Sequence, residues 1–269
     1  MDMIDKYKAY LQRQELSPNT VRSYVWTLRH FMKCYGDVTR ESLLDFKARL
    51  IETRKPQTIN IRLQAINRYL DFIHRDKLKM RFVKVQQKNF LENVISDSDY
   101  HYLKSRLKED GYMGWYFVVW FLGATGARVS ELLQIRAEHV RQGYLDIYSK
   151  GGKMRRLYIP VGLAREAAGW LDSRDIRSGY IFLNRFGVRI TARGIAQRLK
   201  QFALRYGIDP AVVYPHSFRH RFAKNFLERY NDLPLLADLM GHQSIETTRI
   251  YLRRTATEQH AVIDKIVNW

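Results

Sequence analysis

Six residues in a 269-residue chain are of types that together can cut a phosphodiester without a metal: Arg128, Lys150, His216, Arg219, His242 and Tyr251. A phosphate under attack passes through a crowded, negatively charged state. Arginine stays protonated and presents two N–H groups in a plane, so it suits the non-bridging oxygens. The leaving sugar oxygen needs a proton, which a lysine or a histidine can supply. A tyrosine can attack once its hydroxyl, with an ordinary pKa of about 10, is activated, and nearby cations favour its ionised form.

Each of these residues has an ordinary reading on its own. Arg128 stands in TGARVSELL, where Glu131, three residues on, shares its helical face and can hold the guanidinium or simply pair with a surface arginine. Lys150 sits at the tip of SKGGK as either a groove-reaching or a solvated turn lysine, with Lys153, Arg155 and Arg156 as competitors for a DNA contact. His216 and Arg219 project from one face of a helix starting at Pro215, but the chain has eight histidines, and Tyr251 is one of 17 tyrosines. The acids Glu131, Asp238 and Glu246 are scattered singly and form no carboxylate cluster of the kind a metal-dependent transposase needs; no metal and no cofactor is expected.

The elements that must carry these residues fall into two groups. Ser17-Pro18 is a helix start, serine as N-cap and proline at the first position, and the apolar stripe from Val21 to Tyr35 runs until Gly36 stops it. A shorter helix covers Arg40 to Glu52, and another follows Pro56, with Ile59, Leu63, Ile66, Leu70 and Ile73 inward and Asn60, Arg62, Asn67 and Arg68 outward. Residues 76–92 lose the helical period, and Ser96-Asp97 starts a new helix. The boundary is therefore placed at 1–88 for a helical first domain and 89–269 for the second. The second reads as mainly helical with a small antiparallel sheet: a buried helix over Tyr112–Leu122, strands at Tyr144–Ser149 and Arg156–Pro160 joined through Gly151-Gly152, and a third strand at Tyr180–Leu183. Helices then cover 191–206, 217–229, 233–240 and 245–252.

Composition points to a polyanion. There are 46 Lys+Arg against 27 Asp+Glu, a formal charge of +19, a surplus that favours DNA by steering and counterion release. Residues 1–92 carry 19 basic and 10 acidic groups and the remainder 27 and 17, so both parts are basic, as two halves of a C-shaped clamp around DNA would be. Arg22, Arg62 and Arg68 in the first domain, and Lys153, Arg155 and Arg221 in the second, are candidate DNA contacts from facing and charge. No run of 18 apolar residues exists, so no membrane span is expected. The polar N-terminus, MDMIDKYKAY, argues against secretion, and a lone Cys34 excludes an internal disulfide. A cytoplasmic protein is expected.

The strings TGARVSELL, SKGGKMRR, PHSFRHRFA and LMGHQSIETTRIY, in this order, resemble the catalytic boxes of the tyrosine recombinase (phage integrase) family, and SPNTVRSYVWTLRHF resembles its SAM-like core-binding domain. The resemblance implies that Arg128 and Arg219 clamp the scissile phosphate, Lys150 protonates the leaving 5′ oxygen and His216 assists proton transfer from the nucleophile. It further implies that His242 hydrogen-bonds the phosphate and that Tyr251 becomes linked to the 3′ phosphate, with neither metal nor ATP. The implied partner is double-stranded DNA at a specific recombination site. On it a homotetramer of two dimers exchanges strands through a Holliday junction, with an accessory DNA-bending or directionality factor as a further partner. The apolar C-terminal segment, about 255–269, is expected to dock into a neighbouring protomer. With Arg128 so early, only one domain is expected before the catalytic one, as in compact Xer-like recombinases and mobile-element integrases. One departure is Arg221, where the family usually carries a small hydroxyl residue; it either contacts DNA or pairs with Glu228. A type IB topoisomerase uses similar residues and is the alternative, disfavoured by the compact first domain and the apolar C-terminal segment.

Overall fold

The computed structural model describes residues 2–86, 93–148, 154–242, 244–252, 260 and 263–267. The chain divides into two compact units, Met1–Gln87 and Lys88–Trp269. Unit 1 holds α1 (Met3–Arg13), α2 (Pro18–Tyr35), α3 (Arg40–Thr53) and α4 (Pro56–Phe72). Ser17 Oγ accepts from Thr20 N to start α2, and Thr39 forms a capping box with Ser42 at α3, each satisfying backbone donors that a helix start leaves open. Leu28, Phe31, Leu63, Ile66 and Leu70 are buried between the helices.

Two polar residues of α4 depart from the expected outward facing. Asn67 is buried, and its amide donates to Met80 O and accepts from Met80 N, both at 2.9 Å. Asn60, two turns earlier, does the same with Val83, at 3.0 and 2.9 Å. The two side chains serve as strand partners for the segment after the 3₁₀ turn Asp76–Leu78. That is why this segment shows no helical period and still packs along α4.

Unit 2 continues with α5 (Asp97–Glu109), α6 (Met113–Thr125), α7 (Val129–Leu132), α8 (Ala137–Gln142), β1 (Tyr144–Tyr148), β2 (Met154–Tyr158) and α9 (Val161–Asp172). It ends with α10 (Ala192–Arg205), α11 (Pro215–Tyr230), α12 (Leu233–Met240), α13 (Ile245–Arg249) and a 3₁₀ turn, Ile250–Leu252. α6 is apolar nearly all round and forms the centre of the core, with Phe117, Phe121 and Leu122 buried. α11 packs on it through the buried Phe218. β1 and β2 pair antiparallel, Tyr144 opposite Tyr158 and Tyr148 opposite Met154. The expected turn at Gly151-Gly152, with Lys150 and Lys153, lies outside the described residues.

A third strand does not form. Tyr180 makes one isolated bridge to Arg136 and Leu183 another to Arg189. The chain turns away at once, because the Asn184 side chain accepts from Phe186 N and Val188 N and closes a tight loop. Sequence periodicity does not foresee α8 and α9, and foresees α7 only as the helical turn that carries Arg128 and Glu131. In α9 the buried stripe is Leu163, Ala167 and Leu171, and a small central residue weakens the apolar signal.

Candidate active site

The ends of α6 and α12 supply the frame. Gly126 terminates α6 with φ +62°, a conformation that suits glycine, and a Cβ there would press into the ring of Phe222 on α11. Arg128 follows as the N-cap residue of α7. Its backbone N–H donates to Glu131 Oε2 at 2.7 Å and its Nη1 to Glu131 Oε1 at 2.8 Å. The i+3 pair read from the sequence is therefore present, but Glu131 is buried, only 5% exposed.

Glu131 gathers three arginines. Besides Arg128, Arg155 Nη2 donates to its Oε2, and Arg219 Nη1 lies 4.0 Å away. Burial acts to raise the Glu131 pKa, but the bonds and charges of Arg155 and Arg128 outweigh it and hold the carboxyl below its ordinary value.

The same three arginines divide the last carbonyls of α12 among them. Arg155 Nη1 donates to Leu239 O, Arg219 Nη2 to Met240 O at 2.6 Å and Arg128 Nη2 to Gly241 O at 3.1 Å. Helix C-terminal carbonyls lack intrahelical donors and carry partial negative charge, so cations suit them. Arg219, on the second turn of α11, is 1% exposed and also donates from Nη1 to Gly126 O at 2.6 Å. Burial and the Arg128 charge lower its pKa to about 10.

The turn delivers His242. Arg219 Nη2 lies 3.1 Å from His242 Nε2, and His242 Nδ1 lies 2.7 Å from Thr248 Oγ1. A guanidinium only donates, so Nε2 must accept and Nδ1 must carry the proton, donating to Thr248. That neutral tautomer agrees with a pKa lowered to about 4 by burial and the charges of Arg219, Arg128 and Arg155. Thr248 is fully buried on α13, so one hydroxyl ties the histidine to the helix before Tyr251.

Tyr251 is 4% exposed in the 3₁₀ turn. Its ring stacks on His242, centroids 6.0 Å apart, and packs at 5.3 Å against His220. Burial raises its pKa, with the charges of Arg219 and Arg128 opposing. His216 is exposed at the start of α11, its ring 4.4 Å from that of His220. Partial desolvation of the ring where it packs on His220, and the charges of Arg219 and Arg128, lower its pKa. His220, one residue after Arg219, thus lies against both His216 and Tyr251. Sequence reasoning misses it, although His216 and His220 stand four residues apart in PHSFRHRFA, a spacing that puts both on one helix face.

Arg128, Arg219, His242 and Tyr251 meet around Glu131 and the α12 end; Lys150 lies outside the described residues. Among the expected DNA contacts, Arg22 is exposed and bonded to Asn19. Arg62 is half-buried, donating to Thr27 Oγ1 at 2.6 Å and stacked on Trp26. Arg68 is half-buried near Tyr7 and Tyr24. Two expectations need correction. Arg155 does not face a groove: its side chain is 11% exposed, with Nη1 bound to Leu239 O and Nη2 to Glu131. Strand alternation held the signal, since Arg155 shares a strand with the outward pair Arg156–Asp146 but points to the opposite face. Arg221 pairs with Asp97 at 2.5 Å and stacks on Tyr100, instead of reaching Glu228.

The phage integrase family profile matches residues 93–258, and that of the phage integrase N-terminal SAM-like domain matches residues 4–77. A tyrosine recombinase XerA of Pyrococcus furiosus is 28% identical over 276 residues, covering 98% of this chain and 93% of the relative. A tyrosine recombinase XerD of Listeria monocytogenes is 28% identical, covering 94% of each. In fold, the chain resembles the Tn1549 transposon integrase solved with circular intermediate DNA, with a TM-score of 0.72 at 18% identity, over 98% of this chain and 99% of that one. It also resembles the XerH recombinase bound to its difH substrate, with a TM-score of 0.69 at 18% identity, over 90% and 79%.

Proposed function

The chain belongs to the phage integrase family and is a tyrosine-type site-specific DNA recombinase, and from this premise we propose that Tyr251 is its nucleophile and that Arg128, Arg219 and His242 hold the phosphodiester it attacks. Tyr251 Oη adds to phosphorus, the bond to the 5′ oxygen breaks, and the 3′ phosphate stays esterified to the tyrosine. The phenolic proton leaves with the help of His216, and Lys150 supplies one to the departing 5′ oxygen. Attack by the 5′ hydroxyl of another strand reverses the step and reseals the backbone.

The observation that carries this reading is the gathering of Arg128, Arg219 and His242 beside the Tyr251 ring by one buried carboxylate and one helix end. Arg219 Nε is buried without a partner among the described residues, a donor still unspent. His242 Nε2 accepts from Arg219 here, so to donate to a phosphate oxygen it must take up a proton or change tautomer, with Thr248 then donating to Nδ1. The arriving phosphodiester anion favours an N–H at Nε2 and sets against the cations that keep the ring neutral.

In this account residues 1–88 are the core-binding domain and 89–269 the catalytic domain, with the segment of about 255–269 exchanged between protomers. The partner is double-stranded DNA at a specific site, where two dimers form a tetramer and pass through a Holliday junction, an accessory DNA-bending or directionality factor assisting. The proposed place of action is the cytoplasm, where that DNA lies. No helix among the described residues is long and apolar enough to cross a membrane.

The test is Tyr251→Phe on DNA cloned from both sides of the protein's own gene, quenched with detergent. The variant is expected to form no covalent adduct while its DNA affinity stays within about twofold, since only the transition-state interaction is removed. A loss of binding as large as the loss of adduct would remove Tyr251 from the nucleophile's role.

A further inference from the structure

We infer that Arg155, on β2, is a positioning residue for the active site, a strut that fixes His242 and Arg128 without touching DNA. The inference rests on the reading of His242, Arg128 and Tyr251 given above. Three consecutive carbonyls, Leu239, Met240 and Gly241, each accept from a different arginine. Two of those arginines, Arg219 and Arg128, are the proposed phosphate clamp. When a phosphodiester enters, their guanidiniums acquire a second, fully charged acceptor, and charge-assisted bonds to it are the stronger ones. Arg155 is 11% exposed in its side chain, so it keeps its partners whether or not DNA is bound.

What Arg155 ties together decides its role. One end donates to the buried carboxylate Glu131, which orients Arg128 through both backbone and side chain. The other donates to Leu239 O, three residues before His242. Its stem crosses so close to the turn that a Cβ at Gly241 would overlap Arg155 Cδ, and Gly241 also holds φ +61°. The glycine is therefore demanded twice, by backbone conformation and by the arginine lying over it. Arg155 also contributes to keeping His242 neutral, after burial and the two clamp arginines. A misplacement of about 1 Å at a reacting group costs on the order of 10²-fold in rate, so losing a strut between the clamp and the histidine belongs in that range.

The experiment compares full-length wild type, Arg155→Met and Arg155→Lys. The probe is a supercoiled plasmid carrying the DNA flanking the gene; covalent adduct formation, binding by gel shift and the His242 imidazole NMR titration are followed. Arg155→Met is expected to lower the adduct rate by at least about tenfold, to leave DNA affinity within about twofold and to raise the His242 titration midpoint. Arg155→Lys keeps the charge but reaches only one of the two partners, so its adduct rate should also fall. Wild-type adduct formation in either folded variant would overturn the inference, and so would a fall in DNA affinity matching the fall in rate, which makes Arg155 a DNA contact. Should neither Arg155 variant fold, Gly241→Ala, which displaces the same stem, must reproduce the adduct loss and the His242 shift; unchanged values there would overturn the inference as well. If wild type itself forms no adduct on Tyr251, the functional reading fails instead, while the His242 titration still reports on the strut.

Discussion

Glu131 is the residue on which the site turns. Removing one partner of a buried ion pair leaves the other uncompensated, a loss on the order of 3 kcal/mol. Glu131→Gln, facing Arg128 and Arg155, is therefore expected to lower stability by about that amount in denaturant unfolding. A change under about 0.5 kcal/mol would mean the arginines hold one another through the carbonyls alone. Titration adds a second expectation. Both His220 and His242 have pKa values lowered to about 4 from 6.5. Between those values the unfolded chain binds protons that the folded chain refuses, so stability is full above about 6.5 and falls as pH drops toward about 4. Glu131, also lowered, extends the loss further into acid as its carboxylate is protonated. His220→Asn should flatten the slope between pH 6.5 and 4 measured by thermal unfolding; an unchanged slope would assign it elsewhere. The identities of Arg128, Arg219, His242 and Tyr251 were legible because their strings are ordered and spaced. The burial of Glu131 and the part of Arg155 were not, since a carboxylate three residues after an arginine and a basic pair in a strand both look solvated until the α12 end closes over them.

At the scale of elements, helix starts were the most legible feature. Ser17-Pro18, Pro56, Ser96-Asp97 and Pro215 each open a helix where local chemistry says they should. Short or small-residue helices such as Ala137–Gln142 and Val161–Asp172 were not legible, because they are stabilised by packing more than by a strong apolar stripe. The clamp of α4 on the following segment was hidden by residue type: asparagine reads as outward, although Asn60 and Asn67 stand seven residues apart on one helix face. Asn67→Ala removes two hydrogen bonds and strands the buried backbone groups of Met80. It should cost about 2 kcal/mol, whereas Gln12→Ala, at an exposed position of α1, should cost little. Equal effects in thermal unfolding would mean the clamp contributes nothing special.

For the whole molecule, the charge of +19 dominates encounter with DNA, although part of it is spent inside. Arg155 and Arg221 are buried or nearly so and paired with Glu131 and Asp97, and cations spent in this way do not displace counterions. The logarithm of the affinity for the flanking DNA should fall linearly with the logarithm of salt concentration. Arg155→Met should leave the slope unchanged, and an exposed variant such as Arg22→Ala should reduce it if that arginine meets a phosphate. Charge and the two-domain division were legible from composition and periodicity, but which cations are free was not, because pairing depends on contacts between segments far apart in sequence.

The most direct test of the central claim is to isolate the covalent complex with flanking DNA, digest it and map the modified peptide while labelling the free DNA end. The account predicts a nucleotide on Tyr251, joined through a 3′ phosphate, with a free 5′ hydroxyl that a polynucleotide kinase can phosphorylate. An adduct on another tyrosine, or a free 3′ hydroxyl with the protein on the 5′ end, would contradict it.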